Sequence, residues 1–414
     1  MRGTIIAIIF FSVHMSSNAQ QYPGLQQILE SKGSPTLREI LADHKRFRYQ
    51  LIYTRIDRDR NNKPSFTDQL LGVDTGLYFN PASTVKMPLA FLALEKLNRL
   101  NIKGLDKYTP MLTDSAYSGQ TAVWNDSSAA DGMPSIAHYI RKIFMVSDND
   151  AYNRLYEFLG QEYINTRLHE MGYTEARITR RFTRMTPEEN RHTNPIRFVA
   201  GGKTIYHQPA VTSNFQFDFS RKQLIGNAHY DRDDKLVHAP MDFTTHNNMP
   251  LTYLHRMLRS VLFPESVPAS QRFELSTEDY SFLYDYMSRL PSESRFPAYD
   301  TTEFFDSYTK FFFFRAGKQP MPGNIRSFNK AGWSYGFLTD VCYIVDLEHQ
   351  VEFMLSGNVY VNDDGILNDD KYEYETRGYP FLQEVGKIVY EYELTRRRAR
   401  KPDLEKWKID HSPR

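Results

Sequence analysis

Apolar residues between 25 and 41 follow a helical pattern broken by Gly33-Ser34-Pro35, after which Phe47, Tyr49, Leu51 and Tyr53 alternate along the chain at the period of a strand. A charged turn over residues 57–64 leads into a second extended run, so the chain opens as a helix and a β-hairpin. Leu70, Leu71, Val73, Leu77 and Phe79 keep that extended character up to Asn80-Pro81, and residues 87–97 then switch to strong helix formers. Helical and loop segments continue to about Pro195, including the runs before and after Ser147. Residues 196–325 are the least periodic part, with helical stretches over 251–258 and 279–290 and an aromatic run, Phe311 to Phe314, that should pack the segment onto the core. Strands over 337–345 and 351–360 and an amphipathic helix over 380–394 close the chain. The pattern predicts an α/β (α+β) protein: an antiparallel sheet flanked by N- and C-terminal helices, plus an all-helical subdomain. The sheet part should occupy about 20–83 and 326–395, the helical part with its insertion about 84–325, and a polar tail 396–414.

With 414 residues, 41% hydrophobic and 14% aromatic, the chain can bury a large core as one domain or two subdomains. Its 51 basic residues balance 50 acidic ones, so no field favours nucleic acid or an anionic membrane as a partner. The basic run Arg396 to Lys401 reads as a solvated end. Arg2, an apolar stretch over residues 5–13 and Ser17-Asn18-Ala19 are ordered like a secretory signal, 1–19, cleaved before Gln20. The stretch is short for a membrane span, so a soluble secreted or periplasmic protein is expected, with an uncleaved anchor as the alternative. Cys342 is the sole cysteine, which leaves no intrachain disulfide and no cysteine-rich zinc site, and it reads as a small buried hydrophobe. No histidine spacing suggests a metal; His246 and His255 are expected at the surface or as caps. Asn362-Asp363-Asp364-Gly365 begins like a calcium loop, but Lys371 stands where the bidentate Glu belongs, so it reads as a turn. Neither a metal nor a cofactor is expected.

The candidate chemistry lies in three short segments. In Ser83-Thr84-Val85-Lys86 a lysine stands one helical turn from a serine, where it can take the hydroxyl proton and make Ser83 a nucleophile. Ser-x-x-Lys also occurs at Ser307 to Lys310 and Ser327 to Lys330, but only Ser83 sits where a helix begins and free N–H groups can stabilise negative charge. A plain N-cap serine with a solvated Lys86 would produce the same letters. Ser147-Asp148-Asn149 occurs once; Ser147 could relay a proton beside Lys86 and Asn149 could hold a substrate carbonyl or the lysine, although all three residue types also cap helices. Lys330-Ala331-Gly332 opens a strand-like stretch in which Lys330 could hold an anionic group and Gly332 could admit a substrate backbone, or which could be an ordinary strand start.

In this order the three segments resemble the motif set of the serine β-lactamase and penicillin-binding-protein superfamily, closest to class A β-lactamases, to which the 64-residue step from Ser83 to Ser147 is similar. The resemblance implies a β-lactamase/transpeptidase-like fold with the site in the cleft between sheet and helices. It also implies an acyl-enzyme on Ser83, Lys86 as proton acceptor, Ser147 as relay, Asn149, Lys330 and Gly332 at the substrate, and the N–H groups of Ser83 and Trp333 as oxyanion donors. Two departures stand out. Ala331 replaces the usual hydroxyl residue, for which Ser334 or Tyr335 are candidate substitutes. The segment from Glu188 to Pro195 resembles the end of the family's deacylation loop, yet residues 178–182, where its Glu would fall, hold no carboxylate. Glu188 and Glu189 are candidate substitutes, or a solvated acidic pair after Thr186-Pro187.

The resemblance therefore implies an exported serine hydrolase acting on a β-lactam or a peptidoglycan-peptide-like small molecule. The alternatives are a D-alanyl-D-alanine peptidase or penicillin-binding acyltransferase with slow deacylation, and a non-catalytic module that keeps the cleft.

Overall fold

Five strands pair into one antiparallel sheet: β1 (Gln50–Arg58), β2 (Pro64–Leu71), β3 (Ile325–Ser334), β4 (Phe337–Asp346) and β5 (Val351–Tyr360), in the spatial order β3-β4-β5-β1-β2. The computed structural model describes residues 23–117, 119–318 and 320–412, and the expected signal, 1–19, lies outside them. Strands β4 and β5 are buried along their whole length, which explains why they read as apolar runs without alternation. Their side chains still obey the pleat. Leu338, Cys342 and Ile344 face a core with the helices Leu25–Lys32 and Tyr379–Thr395, while Phe337, Val341, Tyr343 and Val345 face the other core. That second core is shared with Lys86–Leu100, Ile136–Val146, Asn149–Leu159, Leu251–Leu262 and Thr277–Ser288.

The opening pattern resolves into Leu25–Lys32 and Pro35–Ala42, separated at Gly33-Ser34, with Ser34 Oγ accepting from Leu37 N. Phe47 is not in the strand but ends a one-turn helix, His44–Phe47, whose C-cap Arg48 is left-handed and turns the chain into β1. The segment over about 84–325, read as a helical part with an insertion, also carries strands: Met111–Thr113, Ile196–Ala200 and Lys203–Gln208 form a three-stranded sheet, and short pairs occur between residues 224 and 242. Met111–Thr113 and the pairs between 224 and 242 are only two or three residues long, too short to show a period in the sequence.

Two expectations are overturned by burial. Arg396, the first residue of the supposed solvated end, is buried and pairs with Glu393 at 3.0 Å and Asp57 at 2.6 Å. Beyond it the chain folds back and inserts Trp407, 1% exposed, among Phe263, Tyr284, Phe328 and Tyr343. His255 is not at the surface: it is buried, with Nε2 2.8 Å from Thr54 Oγ1 and Nδ1 2.7 Å from Ser356 Oγ. His246 is half-buried and bonds Arg180 Nη1 at 3.1 Å. Cys342 is buried as expected. No helix among the described residues is long and apolar enough to cross a membrane.

Candidate active site

Ser83 sits on a single 3₁₀ turn, Ala82–Val85, that runs straight into the helix Lys86–Leu100. The turn is fixed from behind: Asn80 Oδ1 accepts from Ala82 N at 2.9 Å and Pro81 O accepts from Thr84 N at 3.0 Å. Neither start has a side-chain cap, so the capping alternative for Ser83 falls away. Its hydroxyl forms no hydrogen bond among the described residues and lines a cavity of about 570 Å³.

One turn on, Lys86 is fully buried. Its Nζ donates to Asn149 Oδ1 at 2.7 Å and to the carbonyl of Ser147, lies 3.4 Å from Ser147 Oγ, and faces the ring of Phe182 at 5.1 Å. Burial, and then the neighbouring Lys330, hold its ammonium well below the usual lysine range, with Asp148 partly opposing them. The second segment is placed by two helices. Ser147 ends Ile136–Val146 in a left-handed conformation, φ 62°, which is uncommon for a residue with a side chain. Asp148 caps the next helix by accepting from Ala151 N at 2.7 Å, which leaves Ser147 Oγ and the Asn149 amide free of capping duty.

Lys330 approaches from β3, the edge strand of the sheet. Its Nζ donates to Ser147 Oγ at 2.9 Å and to Ala331 O at 2.6 Å, and burial pushes its pKa down to about 7, partly offset by Asp340 and reinforced by Lys310. This strand, Ile325–Ser334, is separate from the one expected over 337–345, which forms β4, and it carries Lys330, Ala331 and Gly332 in its second half. A two-residue turn, Tyr335 (φ 51°) and Gly336 (φ 79°), links β3 to β4. That turn makes Ser334 and Phe337 the closing hydrogen-bonded pair, so Trp333, opposite Leu338, occupies a non-hydrogen-bonded position and directs its N–H outward from the edge. Gly332 lies against the Ser83 turn, whose own Ser83 N–H has no backbone acceptor among the described residues. Ala331 is buried on the opposite face of the sheet, while Ser334 and Tyr335 both line the cavity.

Ser83, Ser147, Asn149 and Trp333 therefore border one cavity, with Lys86 and Lys330 buried together against Ser147. The other Ser-x-x-Lys copies do not share this setting. Ser307 is fully buried, and Lys310 donates to Met287 O, Ser327 O and Asn329 Oδ1 within the core. Neither Glu188 nor Glu189 lines the cavity: Glu188 pairs with His192 at 3.1 Å and Glu189 accepts from Thr186 N at 2.6 Å. Among the described residues no carboxylate lines it at all. Sequence reasoning did not single out Phe182 or the arginines Arg180, Arg184 and Arg232 of its wall. The double arginine after Thr179 was the only available signal. No cluster of three His, Cys, Asp or Glu able to hold a metal occurs among the described residues.

An antiparallel sheet packed on helices, with serine and lysine pairs where they meet, has the architecture and motif order of the serine β-lactamase and penicillin-binding-protein superfamily. Residues 35–216 match the model of the beta-lactamase enzyme family, a span that holds Ser83, Lys86, Ser147 and Asn149 and ends before Lys330. The chain thus resembles that superfamily in its motifs and in its family match. Among solved structures, a beta-lactamase from Xanthomonas campestris pv. campestris is 15% identical, with TM-score 0.46 over 89% of this chain and 98% of that one. A beta-lactamase from Sphaerobacter thermophilus is 11% identical, with TM-score 0.43 over 86% and 96%. The protein titled PBP-A is 14% identical, with TM-score 0.44 over 86% and 95%. No curated protein matches the sequence.

Proposed function

We propose that this chain is an exported serine hydrolase that forms an acyl-enzyme on Ser83 with an amide or β-lactam carbonyl. The observation that carries this is the hydrogen-bond inventory of Lys86. Lys86 Nζ meets Asn149 Oδ1, the Ser147 carbonyl and, at 3.4 Å, Ser147 Oγ; as a neutral amine it can give its two N–H donors to the first two and keep its lone pair for a proton, with Ser147 Oγ beside it to pass that proton on. Burial beside Lys330 favours that neutral form.

In this scheme Lys86 takes the Ser83 proton as Oγ attacks the carbonyl carbon. The N–H groups of Ser83 and Trp333 receive the developing oxyanion. As the C–N bond breaks, the proton passes from Lys86 through Ser147 Oγ to the departing nitrogen, while Lys330, bonded to the same hydroxyl, keeps it oriented. Water must then release the acyl group. A wall with no carboxylate among its described residues favours slow release, so the reading closest to the geometry is fast acylation followed by a long-lived adduct, as in a penicillin-binding acyltransferase, with β-lactam hydrolysis at a low rate.

A fluorescent penicillin followed by intact-mass measurement over time tests this. A stoichiometric adduct that persists is expected in the wild type and in Ser307→Ala, and none in Ser83→Ala. Absence of any adduct, or labelling that survives Ser83→Ala, would overturn the assignment.

A further inference from the structure

The wall of the Ser83 cavity is unusual in charge. Arg180, Arg181, Arg184 and Arg232 all line it, and among the described residues no acidic one does. Arg181 drops out of the balance, because Glu157 meets it at 2.8 Å in the core. The remaining three form no ion pair among the described residues. Arg180 donates to His246 Nε2 at 3.1 Å, and a histidine kept neutral by burial cancels no charge. Arg184 and Arg232 are exposed. The acidic groups in their vicinity are committed elsewhere: Asp231 accepts from Asp233 N and Lys235 N inside its own turn, and Glu189, which feels the Arg232 charge, is solvated and bonded to Thr186. Two separate parts of the chain, the loop at 180–185 and the turn at 231–235, bring these guanidinium groups to the same opening. Glu188, which shares the adjoining groove with Arg180 and Arg232, is paired with His192. Three cations without an ion-pair partner around one concave site raise the local concentration of anions, and guanidinium forks hold carboxylate or phosphate by paired N–H donors.

We propose that Arg180, Arg184 and Arg232 form an anion-binding wall, and that the preferred acyl donor carries an anionic group on the side of the molecule facing that wall, in addition to any held near Lys330. This rests on Ser83 being the nucleophile of the same cavity. The group is a carboxylate or a phosphate.

Benzylpenicillin and its α-carboxy analogue share the reacting ring and differ by one side-chain carboxylate. Calorimetric titration of the Ser83→Ala protein reads their affinities without acylation. The α-carboxy compound is expected to bind about tenfold or more tightly, and that ratio should fall to within about twofold in an Arg184→Gln/Arg232→Gln background or at about 0.5 M NaCl. Equal affinities, binding of neither compound, or a preference that survives both substitutions and salt would overturn the proposal. Competition separates the two anion sources: displacement by malonate or by inorganic phosphate supports the wall and the stronger competitor assigns its anion, whereas displacement by neither overturns it. Intact-mass measurement on the wild type tests the nucleophile separately, since a calorimetric preference without any Ser83 adduct would sink the acyl-enzyme scheme and leave the anion wall standing.

Discussion

A Cβ on Gly332 would lie 2.6 Å from the backbone nitrogen of Ser83 and 2.8 Å from that of Thr84. Both obstacles are backbone, so neither can swing aside, and β3 lies this close to the serine turn only because residue 332 has no side chain. Gly332→Ala should push the strand edge and the Trp333 N–H away from Ser83. Acylation by a penicillin, timed by intact mass, is expected to slow by about 100-fold or more, the scale of losing one oxyanion donor. Thermal unfolding should show a loss of about 1–3 kcal/mol, the scale of overpacking. An unchanged acylation rate would show that the contact has no part in holding the oxyanion donors together.

The helix behind Ser83 and the strands β4 and β5 are legible in the sequence because their apolar residues are continuous or periodic and their caps and turns are local. The first half of β3 is not, since Asn329 and Lys330 are buried polar residues satisfied by partners far along the chain, Thr309 and Asp340 for one and Ser147 for the other. The same blindness hid the tail. Leu404 and Trp407 are isolated apolar residues in a polar run, and only the pocket formed by Phe263, Tyr284 and Tyr343 shows that they belong to the core. Ser83, Lys86, Ser147, Asn149, Lys330 and Gly332 could be named from motif order, but not the arginine wall or Phe182, because loops carry no period that says which way their side chains point.

Trp407 offers a direct test of the tail. Trp407→Ala leaves a cavity lined by four aromatic rings and should cost about 3–5 kcal/mol in chemical denaturation. A change below about 1 kcal/mol, the level of an ordinary surface substitution, would mean that the tail does not pack there in solution.

The two buried lysines set the pH dependence of acylation. Rate should rise with pH as Lys86 loses its proton, and fall again above about 7 as Lys330 loses the charge that orients Ser147 and an anionic substrate group. The two groups interact, so the limbs of the profile belong to the pair. Lys330→Gln removes a cation that holds Lys86 down, and the rising limb should therefore move to higher pH while the falling limb disappears. A rising limb that stays in place in Lys330→Gln would separate the two lysines electrostatically.

Stability should carry the same signature with a defined sign. The folded-state pKa of Lys330, about 7, is below its ordinary value of 10.5, so between these limits the unfolded chain binds the extra proton. Stability then rises as pH increases from about 7 towards 10.5, and the cost of the buried charge is complete below about 7. Lys330→Met should be more stable than wild type at low pH by about 1–3 kcal/mol, and the two should converge as the solution approaches the ordinary lysine range. Denaturant titrations across this range would sink the assignment if the difference were independent of pH.

Phe182 stands where a deacylating carboxylate would be useful. Its ring lines the cavity, stacks on Tyr152 at 4.5 Å and lies 5.1 Å from Lys86 Nζ, while its backbone is held by Asn153 Oδ1 at 2.8 Å. Phe182→Glu would bring a general base to the side of the acyl group that water must reach, and the penicillin adduct should decay about 100-fold faster, within the range of a positioned base. The same carboxylate would stabilise the Lys86 ammonium, so acylation near neutral pH should slow and its rising limb should shift to higher pH. Phe182→Gln matches the size without the base, and its adduct should persist as in wild type. Decay that accelerates equally in Glu and Gln variants would point to admitted water rather than base catalysis, and an adduct unchanged in both would mean that something other than the missing carboxylate limits release.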